Sequence, residues 1–297
     1  MAAAEGVAAR RRTATLRRIR SQGLARLIVV GVGVAFFLTF MLFPFYWMLI
    51  VSIKPNSEIF SVAQNPFLLE QVTLKHYVFL FTQTSFLRWV VNSLVVGVVS
   101  CGGGLVFSIL AGYSLARLRY RGAGLIGWAM FVTYLVPPTL LFIPLTAVMA
   151  EFHLLNSLWS LMLSYPTFII PFSTWLLAGY FRGIPRELEE SAMVDGCTRL
   201  RAMLHVALPL AVPGIVSAGI FSFTLSWNEF LYALTFISDD ALKTVPYGVP
   251  SDLIRGDAFF WGELMAAALL GSIPIAVIYS FFVDKFVSGL TAGAVKG

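Results

Sequence analysis

Few side chains in this chain are arranged for covalent chemistry. Its histidines, His76, His153 and His205, and its cysteines, Cys101 and Cys197, stand apart at no ligand spacing, so no metal site is expected. Both thiols are expected to stay reduced. Glu189 and Glu190 are adjacent in sequence, so on a helix they point in different directions and cannot share one acid–base site. There is no G-x-x-x-x-G-K-[ST] phosphate loop, no G-x-G-x-x-G after a strand, no G-x-S-x-G elbow and no H-E-x-x-H helix. Enzymatic function and nucleotide binding by these routes are therefore excluded, and no cofactor is expected. Transport or assembly remains.

Two groups of residues could bind. The first is Trp227-Asn228-Glu229, with its carboxylate inside an apolar run. Exposing a carboxylate to lipid costs about 2.5–3.5 kcal/mol even on lenient insertion scales, so Glu229 should face a bundle interior or a wet cavity. Asn228 and Glu229 then border a polar solute path. Alternatively the span ends early, and Trp227 and Glu229 anchor it at the interface. The sequence leaves both readings open.

The second group lies between Arg186 and Pro209, the most polar interior stretch of the chain. Its pattern is a short helix, a break and a second helix. Pro185 suits the first helical position, and Glu187, Glu189 and Glu190 place negative charge at the positive end of the helix dipole. Gly196 supplies a stop. Thr198 can cap a second helix in which Leu200, Met203, Leu204, Ala207 and Leu208 recur at helical spacing, before Pro209 opens the next apolar run.

These groups must be positioned by a membrane protein. The 297 residues are 58% hydrophobic and only 12% charged, with a mean hydropathy of +0.83. A soluble chain carries roughly 25% charged residues. Runs of about 20 apolar residues, enough to cross a hydrocarbon core, give six spans near 27–51, 89–115, 124–149, 157–180, 210–236 and 260–283. The first has no A-x-A-like exit and is longer than a signal h-region, so it reads as an uncleaved span. Net charge is +6, and of the 21 Lys and Arg residues only Lys54, Lys75, Arg88, Lys243 and Arg255 fall on one side of the spans. That bias orients both termini to the cytoplasm and is a topology signal, not a nucleic-acid signal.

The expected organisation is a basic segment 1–26, a first span with a long outer loop 27–88, a core of five spans 89–283 holding the polar segment 182–209, and a tail 284–297. Aromatic and aliphatic residues from Phe67 to Phe81 suggest a surface-lying helix within the outer loop. The loop 237–259, with four aspartates and two prolines, either docks an external partner or is an ordinary connection. Prolines recur inside the spans, which predicts a packed, bent bundle.

The polar segment carries a resemblance. Glu190-Ser191-Ala192-Met193-Val194-Asp195-Gly196, nine residues, then Val206-Ala207-Leu208-Pro209, resembles the E-A-A-x-x-x-G-x(9)-I-x-L-P signature of the inner-membrane permeases of binding-protein-dependent ABC importers. Ser191 stands in place of the first Ala and Val206 in place of Ile. From Ser52 onward, Ser52-Ile53-Lys54-Pro55, Arg88 to Leu94, Ala111 to Arg117, Leu154 to Ser157 and Trp227 to Phe230 are similar to the sugar-importing branch, and within it to the second, six-span permease of the maltose type.

The resemblance implies an all-α integral membrane protein with the type I ABC importer permease fold in the bacterial inner membrane. It implies a homologous partner permease in a heterodimer, two copies of a cytoplasmic ABC ATPase, an extracytoplasmic solute-binding protein and a carbohydrate or polyol solute. The polar segment becomes a coupling helix that seats on the ATPase through Leu188, Glu190, Ser191, Ala192, Met193, Asp195 and Gly196. Asn92 joins Trp227, Asn228 and Glu229 as candidates for the solute path. On the residues alone, an ion-driven transporter or a scaffold stays open. The first would call for more intramembrane ionisable groups and an internal inverted repeat.

Overall fold

A computed structural model describes the backbone of residues 2–294 and the side chains of residues 26–283. The side chains of the basic segment up to residue 25 and of the tail 284–297 lie outside the described residues. Helix α1 (Ala2–Ile53) contains the apolar stretch Arg26–Ile53, which turns Leu27, Phe37, Phe40 and Met41 outward as a helix against lipid does. It stops at Lys54, because the residue before Pro55 is pushed out of the helical region. Two helices follow in the long loop, α2 (Asn56–Ile59) and α3 (Lys75–Gln83). The expected loop helix is α3, whose His76 and Leu80 are buried against the start of the last span.

Helix α4 (Phe86–Arg117) is the second span. The third run was expected to be one span over 124–149 and is not straight. It is split into α5 (Ala123–Leu135) and α6 (Pro138–Glu151), bent by 98°. The cause is Pro137-Pro138. Each proline drives its predecessor out of the helical region, so Val136 and Pro137 are extended, at ψ 121° and 128°, and Pro138 restarts the helix at N1. Helices α7 (Leu158–Ser164) and α8 (Pro166–Gly183) form the next apolar span, Leu158–Gly183.

Past α8 come α9 (Arg186–Val194) and α10 (Arg199–Ala202), then a π turn over Met203–Ala207 and α11 (Leu208–Trp227). The second helix of the polar segment was expected to end where the span begins. Instead Arg199–Trp227 is one continuous rod. Pro209 has no N–H for the carbonyl four residues earlier, and the backbone widens into a π turn rather than breaking. The rod ends at Trp227, short of the expected 236, and α12 (Leu231–Phe236) is separate.

The connection after α12 holds α13 (Val245–Leu253) and a two-stranded antiparallel hairpin, β1 (Ile254–Arg255) with β2 (Ala258–Phe259), pairing Ile254 with Phe259. Helix α14 (Trp261–Ala294) closes the chain. Among the described residues five helices are long and apolar enough to cross a membrane, or six if α5 and α6 form one bent span. At the centre α4 lies along α8, so close that a Cβ on Gly112 would sit 3.1 Å from the Ala178 backbone nitrogen. Helix α11 packs on α4 and α14, and α1 on α14.

Candidate functional site: a docking helix rooted in the bundle

The polar segment is built upward from α4. Tyr113 and Arg117 are one helical turn apart, so both side chains leave the last turns of α4 on one face. They meet Glu189 of α9. Arg117 donates from Nε to Glu189 Oε1 at 2.6 Å, and Tyr113 donates its hydroxyl to Oε2 at 2.7 Å. A second Arg117 nitrogen donates to the Ile184 carbonyl at 2.8 Å, and Arg186 donates to the Ala116 carbonyl at 3.0 Å. Glu189 is 5% exposed. The sequence assigned Glu189 only a place near the helix dipole and missed this clamp. The one available signal was the i,i+4 placement of Tyr113 and Arg117 beside a later carboxylate.

The first helical residue of α9 is Arg186. Pro185, expected at that position, is the extended N-cap, with φ −56° and ψ 132°. At the other end Gly196 adopts φ +93°. The Gly196 N–H donates to the Met193 carbonyl at 3.1 Å and the Cys197 N–H to the Ala192 carbonyl at 3.0 Å, the two bonds of a Schellman stop. A residue with a Cβ is disfavoured there by the backbone alone. Thr198 then accepts from the Arg201 N–H at 3.4 Å and caps α10.

Between these fixed ends α9 has two faces. Glu189 points into the core, while Leu188, Glu190, Ser191 and Asp195 are exposed and Ala192 and Met193 are half-buried. Val194, 86% exposed, was absent from the expected set and is the last residue of α9. Glu187, Glu190, Ser191, Val194 and Asp195 line a shallow open concavity of about 410 Å³. The face sets an apolar residue among three carboxylates and one hydroxyl, suited to a partner with a matching cleft and basic groups.

The candidate solute residues divide into two sets. Trp227 is buried, stacks on Phe223 and donates from its indole nitrogen to the Gly271 carbonyl at 3.1 Å. With Asn228 it borders a mostly apolar cavity of about 550 Å³ between the end of α11, α13, the middle of α14 and Phe45 of α1. Neither Glu229 nor Asn92 borders that cavity. Glu229 lies in the turn after the rod, where it accepts from the N–H groups of Tyr232 at 2.8 Å and Ala233 at 3.2 Å and from the Tyr165 hydroxyl at 2.9 Å, capping α12. Asn92 donates to the carbonyls of Ala241 and Lys243 at 2.8 and 2.9 Å and ties the connection between α12 and α13 to α4.

In that connection, burial works against the Asp240 carboxylate, yet hydrogen bonds from Ser85 and Lys243 outweigh it and hold its pKa below the ordinary value. On the same side His76 is clasped between the Glu263 carboxylate, 2.9 Å from Nδ1, and the Lys54 carbonyl, 2.8 Å from Nε2.

Residues 104–291 match the family described as "Binding-protein-dependent transport system inner membrane component". The sulfoquinovosyl glycerol transport system permease protein of Agrobacterium fabrum is 38% identical over 257 residues, covering 86% of this chain and 89% of that protein. The diacetylchitobiose uptake system permease protein of Streptomyces coelicolor is 37% identical, covering 86% and 92%. A trehalose/maltose transport system permease protein of Thermococcus litoralis is 30% identical, covering 94% and 100%. In fold, a bacterial ABC transporter involved in import of the acidic polysaccharide alginate superposes with a TM-score of 0.76 at 19% identity, covering 87% of this chain and 95% of that chain. The chain therefore belongs to the binding-protein-dependent inner-membrane permeases, and it is the permease subunit of an ABC importer, with ATP hydrolysed on a separate chain.

Proposed function

We propose that this chain forms half of a transmembrane path for a carbohydrate or related polyol and receives its energy through α9. It pairs with a homologous permease, and the pair sits on two copies of a cytoplasmic ATPase and accepts solute from a binding protein outside. Both termini face the cytoplasm, and α5 with α6 counts as one of six spans. The carbohydrate reading is supported by the names of the relatives, which carry a sugar glyceride, a chitobiose derivative and trehalose or maltose.

The observation that carries the coupling role is the double rooting of α9. Glu189 fastens it to the end of α4, and the short turn at Gly196 leads into a rod that is itself a span. Leu188, Glu190, Ser191, Val194 and Asp195 are left to a partner. When ATP binding closes the ATPase dimer, a helix held this way moves α4 and α11 together as rigid bodies, opening the path alternately to each side. Trp227 and Asn228 border the solute path, with Glu229 and Asn92 fixing its outer margin.

Glu190→Lys and Gly196→Asp test the coupling role in the co-expressed complex. Both variants should insert and fold. Both should lose most ATPase co-purification and solute-stimulated hydrolysis, the first through charge reversal on the docking face and the second through about 1–2 kcal/mol of left-handed backbone strain at the stop. Wild-type uptake and co-purification in both variants would refute it.

A further inference from the structure

Behind the docking face, on the side of α9 turned toward α4, lies a second and wholly different concavity. It holds about 360 Å³ and is lined by Tyr113, Arg117, Arg119, Arg186, Glu189, Glu190, Met193 and Arg199. Positions 186, 189, 190 and 193 recur at helical spacing, so α9 presents this face as a unit. At the floor Arg117 and Glu189 neutralise each other. The rim then carries three guanidinium groups, Arg119, Arg186 and Arg199, against one carboxylate, Glu190. Arg186 commits one nitrogen to the Ala116 carbonyl. Arg119 and Arg199 make no side-chain hydrogen bond or ion pair among the described residues.

We propose that this pocket binds a phosphate group, gripped between Arg119 at the end of α4 and Arg186 and Arg199 on the docking segment. Guanidinium forks match the tetrahedral oxygens of phosphate in bidentate fashion, and several converging on one concave wall favour a multiply charged anion. The pocket opens where the apolar helices α4 and α8 end, and Tyr120 and Trp128 on the neighbouring α4–α5 turn and α5 are exposed, residue types that favour a membrane–water interface. The phosphate can belong to an anionic phospholipid headgroup or to a free phosphate compound. Either would bridge α4 to α10 and brace the docking helix from behind. The site is independent of which solute is carried and is complete without the ATPase.

The full-length permease in detergent is titrated with phosphatidylglycerol, with zwitterionic phosphatidylcholine as the comparison of zero net charge, and separately with inorganic phosphate, reading retained lipid by native mass spectrometry and thermal stabilisation. Saturable binding in the lipid arm assigns a headgroup, and in the phosphate arm a free ligand. In either case affinity should fall about tenfold in Arg119→Gln/Arg199→Gln and stay at wild type in Arg255→Gln, an arginine at the opposite end of the molecule. Should the double variant misfold, Arg199→Lys, which keeps the charge without the fork, is read instead, with about threefold weakening expected. The proposal is overturned by no saturable binding in either arm, by equal affinity in wild type and double variant, or by an equal loss in Arg255→Gln. Loss of ATPase co-purification in the double variant without any anion binding also overturns it, and would give the pocket to an acidic side chain of the ATPase.

Discussion

Removing the Glu189 carboxylate should detach the docking helix from α4 by an amount that depends on what replaces it. In Glu189→Ala the Arg117 guanidinium, whose side chain is 5% exposed, keeps its bond to the Ile184 carbonyl but loses its counter-ion. Breaking a buried pair from one side costs about 3–5 kcal/mol. Glu189→Gln is gentler. The amide oxygen can still accept from Arg117 Nε, and the amide nitrogen can donate to the Tyr113 oxygen, so the shape survives and the charge assistance is lost, at about 1.5–3 kcal/mol. The double variant Arg117→Leu/Glu189→Leu removes both charges and should lie well above the sum of its single variants, with a coupling of about 2–3 kcal/mol.

Because the clamp lies at one end of the molecule, the loss should appear as local opening before global unfolding. Hydrogen exchange over residues 186–194, compared with the centre of α4, separates the two. The expected order of protection is wild type, then Glu189→Gln, then Glu189→Ala, with solute-stimulated ATP hydrolysis in the assembled complex falling in the same order. Equal protection in Gln and Ala variants, or strict additivity in the cycle, would show that the Arg117–Glu189 contact does not root the helix.

Two further outcomes are expected at the opposite end of the molecule. The pKa of His76 is raised above 6.5, chiefly by its hydrogen bond to Glu263, against the opposing effect of burial. Its stabilisation of α3 is therefore complete below the unfolded value of 6.5 and is lost as pH climbs through the higher folded value. Exchange protection of residues 75–83 should decline on alkalinisation in wild type and be flat in His76→Gln, and parallel profiles would remove His76 as the cause. Glu229→Ala should cost about 1–2 kcal/mol through the lost α12 cap. If Glu229 also borders the path, uptake kinetics across a panel of sugars and polyols should shift while assembly holds. Unchanged kinetics would leave Glu229 a cap alone.

The spans were legible because lipid imposes a composition that needs no knowledge of neighbours. Their ends and bends depend on which backbone groups find partners. Pro137-Pro138 carried the information for a break, since two consecutive residues before proline cannot both stay helical, yet an apolar run of ordinary length concealed it. Pro209 looked like a boundary for the same chemical reason and is not one, because a π turn accommodates the missing donor. Gly196 was readable from its type and neighbours, and its φ of +93° follows from the stop it makes. Glu189 was hardly readable, with only the i,i+4 placement of Tyr113 and Arg117 to point to it. Its meaning lies in Tyr113 and Arg117, more than seventy positions earlier, and only packing of α9 against α4 puts the three together.

That contact also changes what Glu190 can mean. Adjacent carboxylates on a helix diverge, and here the divergence separates two tasks: Glu189 turns inward to hold the helix to its own bundle, while Glu190 stays at the boundary between the docking concavity and the arginine-rimmed pocket. A partner that pulled on Glu190 without the inward anchor would move only a surface helix. Held by Glu189 on one side and by the short Gly196 turn into the continuous rod on the other, the same pull must displace α4 and α11 together, and these are packed against one another along the bundle. In the proposed coupling role, then, it is the least exposed carboxylate of the polar segment, not its most exposed one, that would set the fulcrum.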